Sequence, residues 1–252
     1  HLSADVPNSK YVGSAQMATG RSNPIQSIHA LDFAAKNKSH FIYACSAMMY
    51  NTEHQGHNGP DLNEDEHIWP ANPAGNIYGM EKLYNMQLVQ EYAKYYDMKV
   101  ALPIFHAMYG PYCDIFENSK VVAAMCVKIL NASDPGEIEV WGDGKQTRSF
   151  CYIDDLISGI LMMMELENFP GPINLGNPSE ISILDLASEI IELTGSNSKI
   201  MYKDLPTDDP QMRCPDISLA TKKLGWSPKF DRKTGLEKTI EYFDSLLKRE
   251  LI

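Results

Sequence analysis

The chain is poor in positive charge: its 252 residues carry 22 Lys and Arg against 33 Asp and Glu, a formal net charge of −11. A sequence-independent nucleic-acid binder needs cations along a phosphate track, so nucleic acid is excluded as the expected partner. Long apolar runs are lacking too. None reaches the roughly 20 residues of a membrane-spanning helix, and no membrane partner is expected. Cysteine is scarce and scattered at Cys45, Cys113, Cys126, Cys151 and Cys214, with no CxxC pair. Neither a disulfide framework nor a thiolate zinc site fits that spacing, and a reducing cytoplasm is the expected setting. What is present is an apolar content of 44% with 13 Tyr, 8 Phe and 3 Trp, enough for one sizeable core or two intergrown lobes.

Helical and strand patterns alternate. From Asn23 to Ala35 the residues Ile25, Ile28, Leu31, Phe33 and Ala34 fall near helical spacing, with Pro24 suited to a first turn. Phe41 to Ala44 reads as a buried strand, Asn51 to Ala74 as a solvated surface loop, Tyr78 to Tyr96 as a helix and Val100 to Ile104 as a strand. Beyond these, Lys120–Leu130 and Ile153–Met164 read as helices, Ile138–Trp141 and Pro172–Leu175 as strands. Ser182 and Asp185 form an acidic capping box for a helix that Gly195 closes, followed by helices over Ile217–Leu224 and Gly235–Leu247. The alternation predicts an α/β fold with a parallel sheet.

Tyr78 and Lys82 stand four apart on one helical face, where an ammonium lowers a phenol toward the range of a general base. Chance alone supplies about one such pair in a chain this rich in Tyr and Lys, and Tyr95 with Lys99 is a second. Context separates them. Ser46 follows a buried strand at its carboxyl end, where open α/β sheets bind ligands, and a loop, the Tyr78 helix, a strand and Tyr109-Gly110-Pro111 come after it. His54, His57 and His67 share the polar loop with Asp61, Glu64, Asp65 and Glu66, but their spacing fits no zinc pattern and no metal is expected.

The pieces His1–Asp5, Tyr43–Ala47, Trp69–Pro73, Tyr78–Lys82, Phe105–Pro111, Trp141–Phe150 with Tyr152–Asp155, Asp208–Arg213 with Pro215–Ile217, and Leu224–Trp226 run almost end to end. Through them the chain resembles the extended short-chain dehydrogenases/reductases, in the branch of NAD-dependent nucleotide-sugar epimerases, dehydratases and decarboxylases. Up to Arg148 it is most similar to GDP-mannose 3,5-epimerases, and from Phe150 onward to UDP-glucuronate decarboxylases. The resemblance implies a partial doubly wound, Rossmann-like parallel sheet over residues 1–110. A smaller C-terminal α/β substrate lobe over 111–252 would interleave with it near 148–175. It implies NAD as cofactor, a GDP- or UDP-sugar as substrate, and a homodimer. Tyr78, Lys82, Ser46, Lys120 and Asn23 match catalytic positions. Leu2, Ser3, Ala4, Phe105 and His106, with Tyr78 and Lys82, match cofactor-binding ones. Ser46, Lys120, Gln146, Arg148 and Arg213 match substrate-binding ones, the two arginines holding the diphosphate.

Departures from the pattern are equally specific. Met48 stands where the epimerase has an acid/base cysteine, and a thioether has no ionisable proton. Ala107 replaces a substrate-binding Asn, Ile104 an Arg, and Pro7-Asn8-Ser9 a glycine-rich loop. Ala47 and Met48 occupy the place of the acids that a dehydratase or decarboxylase carries. No G-x-G-x-x-G occurs to cradle a pyrophosphate, and His1–Ala4 matches the family just after its fourth strand. The resemblance therefore implies a longer native protein, by on the order of 70–90 residues, and weak NAD binding by these 252 residues alone.

Overall fold

The computed structural model describes residues 1–4, 16–56, 59–73, 77–114, 120–132, 135–167, 169, 171–204 and 213–249. The proposed substrate-loop substitution at Pro7-Asn8-Ser9, most of Asp208–Arg213 and His57 lie outside them. In chain order, α1 (Gln16–Asn37) leads to β1 (Phe41–Ile42) and β2 (Cys45–Ser46). Then come α2 (Ile77–Tyr96), β3 (Val100–Phe105), β4 (Met108–Tyr109), α3 (Val121–Asn131), β5 (Glu137–Trp141), β6 (Thr147–Ser149) and β7 (Cys151–Tyr152). The remainder is α4 (Ile153–Glu165), β8 (Pro172–Leu175), β9 (Glu180–Ser182), α5 (Ile183–Thr194), β10 (Lys199–Lys203), α6 (Ser218–Leu224) and α7 (Arg232–Leu247).

The buried sheet is parallel. β1 and β2 meet the same edge of β3 in one register, Phe41 opposite Val100 and Ser46 opposite Phe105, and Tyr43 N–H donates to Ala101 O between them at 2.9 Å. They act as one strand with an interruption, two residues longer than the sequence pattern indicated. β8 pairs with the other edge of β3, ending with Leu175 opposite Phe105. Three strands thus finish level at Ser46, Phe105 and Leu175, and the chain's second half closes the sheet of its first. On the outer side of β1, Ala44 N–H reaches His1 O at 3.4 Å.

Several elements form for local reasons. Ser182 caps α5 by accepting the Asp185 N–H at 2.9 Å, and Gly195 closes it at φ 67°, a left-handed turn that glycine adopts without penalty. Asp155 fixes the chain far downstream: its carboxylate accepts the Lys229 and Phe230 N–H groups at 2.8 and 3.0 Å, and its main-chain oxygen accepts from Trp226 Nε1. Among the described residues the buried apolar side chains gather in three clusters. One lies beneath α1 and α2, one between β3, β8, α4 and Trp226, and one between α3, α5, α7 and β5.

The structure corrects the sequence reading in three places. α1 begins seven residues before Asn23, so Pro24 lies inside the helix rather than in its first turn. The polar 16–22 stretch has no apolar period to reveal it. The 51–74 segment is not simply solvated: Asn51, Gln55, Leu62, Glu64 and Ile68 are buried. Its polar groups bond one another and the backbone, which hydropathy does not register. The β6–β9 antiparallel pair was not expected, its strands being short, nor was β10, which is largely exposed and pairs in parallel with the expected β5.

Candidate active site at the strand ends

Tyr78, Ser46 and Lys82 converge beyond the carboxyl end of β2. Tyr78 sits in the first turn of α2, buried, and the Ser46 hydroxyl beside it favours its phenolate form. Ser46 caps the short 3-10 turn Ala47–Met49 by accepting the Met48 N–H at 3.2 Å, which holds its side chain in place. Lys82, one helical turn on and 5% exposed, donates to Ala44 O at 3.1 Å and lies 4.8 Å from the Tyr43 ring centroid and 5.7 Å from that of Tyr78. The competing pair separates: Tyr95 is 83% exposed and Lys99 lies beyond the end of α2.

The electrostatics differ from expectation. Burial pushes the Tyr78 phenol up to about 12; the Ser46 hydroxyl opposes it, and the Glu81 carboxylate and Cys45 thiol add to it. Lys82 is not among the groups that shift it. Its ammonium addresses a main-chain carbonyl and the ring faces rather than the phenolic oxygen. Burial in turn draws Lys82 below the ordinary ammonium range, with Glu81 acting in the opposite direction.

Behind these residues lies a polar cluster that the sequence did not reveal. Glu81, 5% exposed, accepts from Asn23 Nδ2 and Tyr43 Oη, each at 3.2 Å, and from Asn85 Nδ2. Asn85 also donates to Ser27 Oγ at 3.2 Å. Asn23 therefore anchors α1 to the carboxylate beside Lys82. The signal was the buried i, i+4 pair Glu81 and Asn85, hidden by the neighbouring Tyr-Lys spacing.

A second cluster lies under β3 and β8. Asn174 Oδ1 accepts from Tyr50 Oη and faces His106 Nε2, both at 2.8 Å, and Asn174 Nδ2 donates to Leu62 O and Asp216 O. Burial pulls His106 down to about 4, with Arg213 adding to the effect. Glu64 accepts the Asn174 N–H, and burial raises its carboxyl to about 7. Folded protein keeps that proton up to about 7, whereas the unfolded chain sheds it near the ordinary value. Stability is therefore full below the unfolded value and falls as pH rises toward about 7. Denaturant unfolding at about pH 5 and about pH 8 should show this loss, and Glu64→Gln should flatten it.

The remaining matched residues are spread around this centre. Leu2 and Ser3 are exposed and Ala4 half-buried. Phe105 ends β3 between Ser46 and Leu175. Lys120 stands exposed at the N-terminal boundary of α3. Gln146 Nε2 donates to Trp141 O at 2.9 Å, and Arg148 on β6 donates to Thr147 O at 2.7 Å. Arg213 donates through Nε to Gln55 Oε1 at 3.0 Å. All five cysteines are free thiols. Among the described residues no three His, Cys, Asp or Glu side chains gather as a metal site, and no helix is long and apolar enough to cross a membrane.

A parallel sheet with a serine at the end of one strand and a tyrosine and lysine on the helix beside it defines a Rossmann-like protein of the short-chain dehydrogenase/reductase kind. The sequence profile of the NAD dependent epimerase/dehydratase family matches residues 1–176, and the chain belongs to that family. It is 31% identical over 252 residues to GDP-mannose 3,5-epimerase 1 of Oryza sativa subsp. indica, covering 99% of this chain and 65% of the rice protein. It is 31% identical over 251 residues to UDP-glucuronic acid decarboxylase 1 of Xenopus tropicalis, covering 98% and 56% respectively. The chain thus spans less than two thirds of either relative. The crystal structure of UDP-glucose 4-epimerase from Thermotoga maritima with UDP-glucose superposes with a TM-score of 0.88 at 26% identity, over 98% of this chain and 77% of that one. The family is NAD-dependent. The buried Lys82 ammonium on a main-chain carbonyl beside Tyr78 fits the ribose and nicotinamide end of that cofactor. A glycine-rich phosphate turn is not among these 252 residues.

Proposed function

We propose that the chain is the part of a nucleotide-sugar epimerase that faces the sugar and the nicotinamide, acting through transient oxidation at C4, and that its reaction is 3,5-epimerisation of GDP-mannose. One observation carries this: Ser46 at the end of β2 stands beside the buried Tyr78 phenol of α2, with Lys82 one turn further along that helix. NAD supplies a hydride acceptor when bound. Tyr78 takes the proton of the C4 hydroxyl while Ser46 holds that hydroxyl, and Lys82 binds the ribose. The 4-ketone so formed acidifies the neighbouring C–H bonds. Lys120 serves proton exchange at the neighbouring carbons, and Gln146, Arg148 and Arg213 hold the nucleotide diphosphate. Asn23 acts through Glu81 as a positioning residue. Phe105, His106 and His1–Ala4 border the cofactor.

The two lobes divide near residue 110, and the protein pairs as a homodimer. The exposed residues Ile77, Met80, Tyr84 and Tyr95 along one side of α2 are the apolar face that pairing would cover.

A second reading, UDP-glucuronate decarboxylation, is favoured by the likeness to UDP-glucuronic acid decarboxylase 1 of Xenopus tropicalis, as high at 31% identity as that to the rice epimerase. Incubating the intact protein with each sugar nucleotide in deuterated water separates them. Deuterium at C3 and C5 without carbon loss is the expected outcome; carbon dioxide from UDP-glucuronate overturns the epimerase assignment in favour of the second reading.

A further inference from the structure

Gln55 belongs to the segment whose composition suggests a solvated loop, yet it is 4% exposed and both ends of its amide are engaged. Its Nε2 donates to Tyr50 O at 2.9 Å, and its Oε1 accepts from Arg213 Nε at 3.0 Å across 158 positions of sequence. Tyr50 is itself fixed through its hydroxyl to Asn174 on β8. The Arg213 main chain is held as well, its carbonyl accepting from the buried Ser149 hydroxyl at 3.3 Å.

We propose that Gln55 is a positioning residue that orients the Arg213 guanidinium for the diphosphate of the substrate; this rests on the reading of Arg213 given above. The geometry is suited to it. A guanidinium binds a phosphate best with its two terminal nitrogens presented as a planar fork. A bond at Nε sets the plane of that fork without using either prong. The amide is a neutral acceptor, so it orients the cation without cancelling its charge, as a carboxylate in the same place would. Because Gln55 follows Ser46 by nine residues and hangs from Tyr50 O, it also ties the diphosphate-binding side of the cleft to the sugar-facing side.

Calorimetric titration of the intact protein with UDP and with GDP tests this, using Gln55→Leu, Arg213→Leu and the double variant, with melting curves for each. Gln55→Leu is expected to weaken binding about three- to tenfold, the size of one lost buried hydrogen bond, and to cause no further loss in the Arg213→Leu background. Wild-type affinity in Gln55→Leu beside weakened binding in Arg213→Leu overturns the inference, as do losses that simply add. Unchanged binding in Arg213→Leu overturns the diphosphate reading first, and this inference with it. If Gln55→Leu does not melt cooperatively, Gln55→Glu decides. It keeps the size and the acceptor oxygen but sets a negative charge against the guanidinium, so weaker diphosphate binding supports the role of Gln55 and unchanged binding overturns it.

Discussion

Tyr78→Phe is expected to lower kcat of the intact enzyme by about 10²- to 10⁴-fold, the usual contribution of a positioned acid/base group, with little change in nucleotide-sugar affinity. The substitution removes one oxygen from a buried ring and leaves its packing in place, so a folding defect does not explain such a loss. The pH profile carries the finer test. Burial holds the Tyr78 phenol up at about 12, and Glu81 adds to the shift. The bare site therefore keeps the phenol protonated at neutral pH, and activity should rise with pH as the phenolate forms. Glu81→Gln removes an anion that opposes phenolate formation, so its acid limb should move to lower pH. A simple packing role for Glu81 would lower the rate without moving that limb.

Asp155→Ala is expected to give the largest loss of stability, about 2–3 kcal/mol, because it leaves two N–H groups at Lys229 and Phe230 without the acceptor that folds the chain after Trp226 onto α4. At this chain length that corresponds to a fall of roughly 5–10 °C in Tm, readable by calorimetry. Asp155→Asn retains one acceptor oxygen and should recover part of the loss. The carboxylate also lies in the first turn of α4, where the helix dipole favours negative charge, so Asn should not recover it all.

Gln55 does not stand out in the sequence, and Asp155 does so only as part of the Tyr152–Asp155 motif with no role attached; the reason is common to both. Their roles are long-range hydrogen bonds to groups 74 and 158 positions away, and no periodicity records such partners. Local chemistry was legible. The Ser182 cap, the Gly195 helix end and the apolar β3 run are dictated by neighbours within a few residues, and the structure places them as read. Pro24 misled because a proline inside a helix looks like a helix start when the preceding turn is polar. β10 escaped because Lys199–Lys203 is largely exposed, with no alternation of buried and exposed residues to mark a strand. At the site, spacing alone left Tyr78/Lys82 level with Tyr95/Lys99. The strand-end serine and the resemblance broke the tie, and burial now distinguishes them. The influence of Lys82 on Tyr78 was inferred from spacing, but direction matters as much as proximity, and the ammonium points to Ala44 O.

The account turns on two oxygens from different elements addressing one hydroxyl of the sugar. The crystal structure of the intact protein with NAD and GDP-mannose or UDP-glucuronate measures this directly. The expected result is a C4 hydroxyl within about 2.6–3.2 Å of both Tyr78 Oη and Ser46 Oγ. A sugar bound with its C4 turned away from both side chains, or held by only one while the other faces protein, would contradict it.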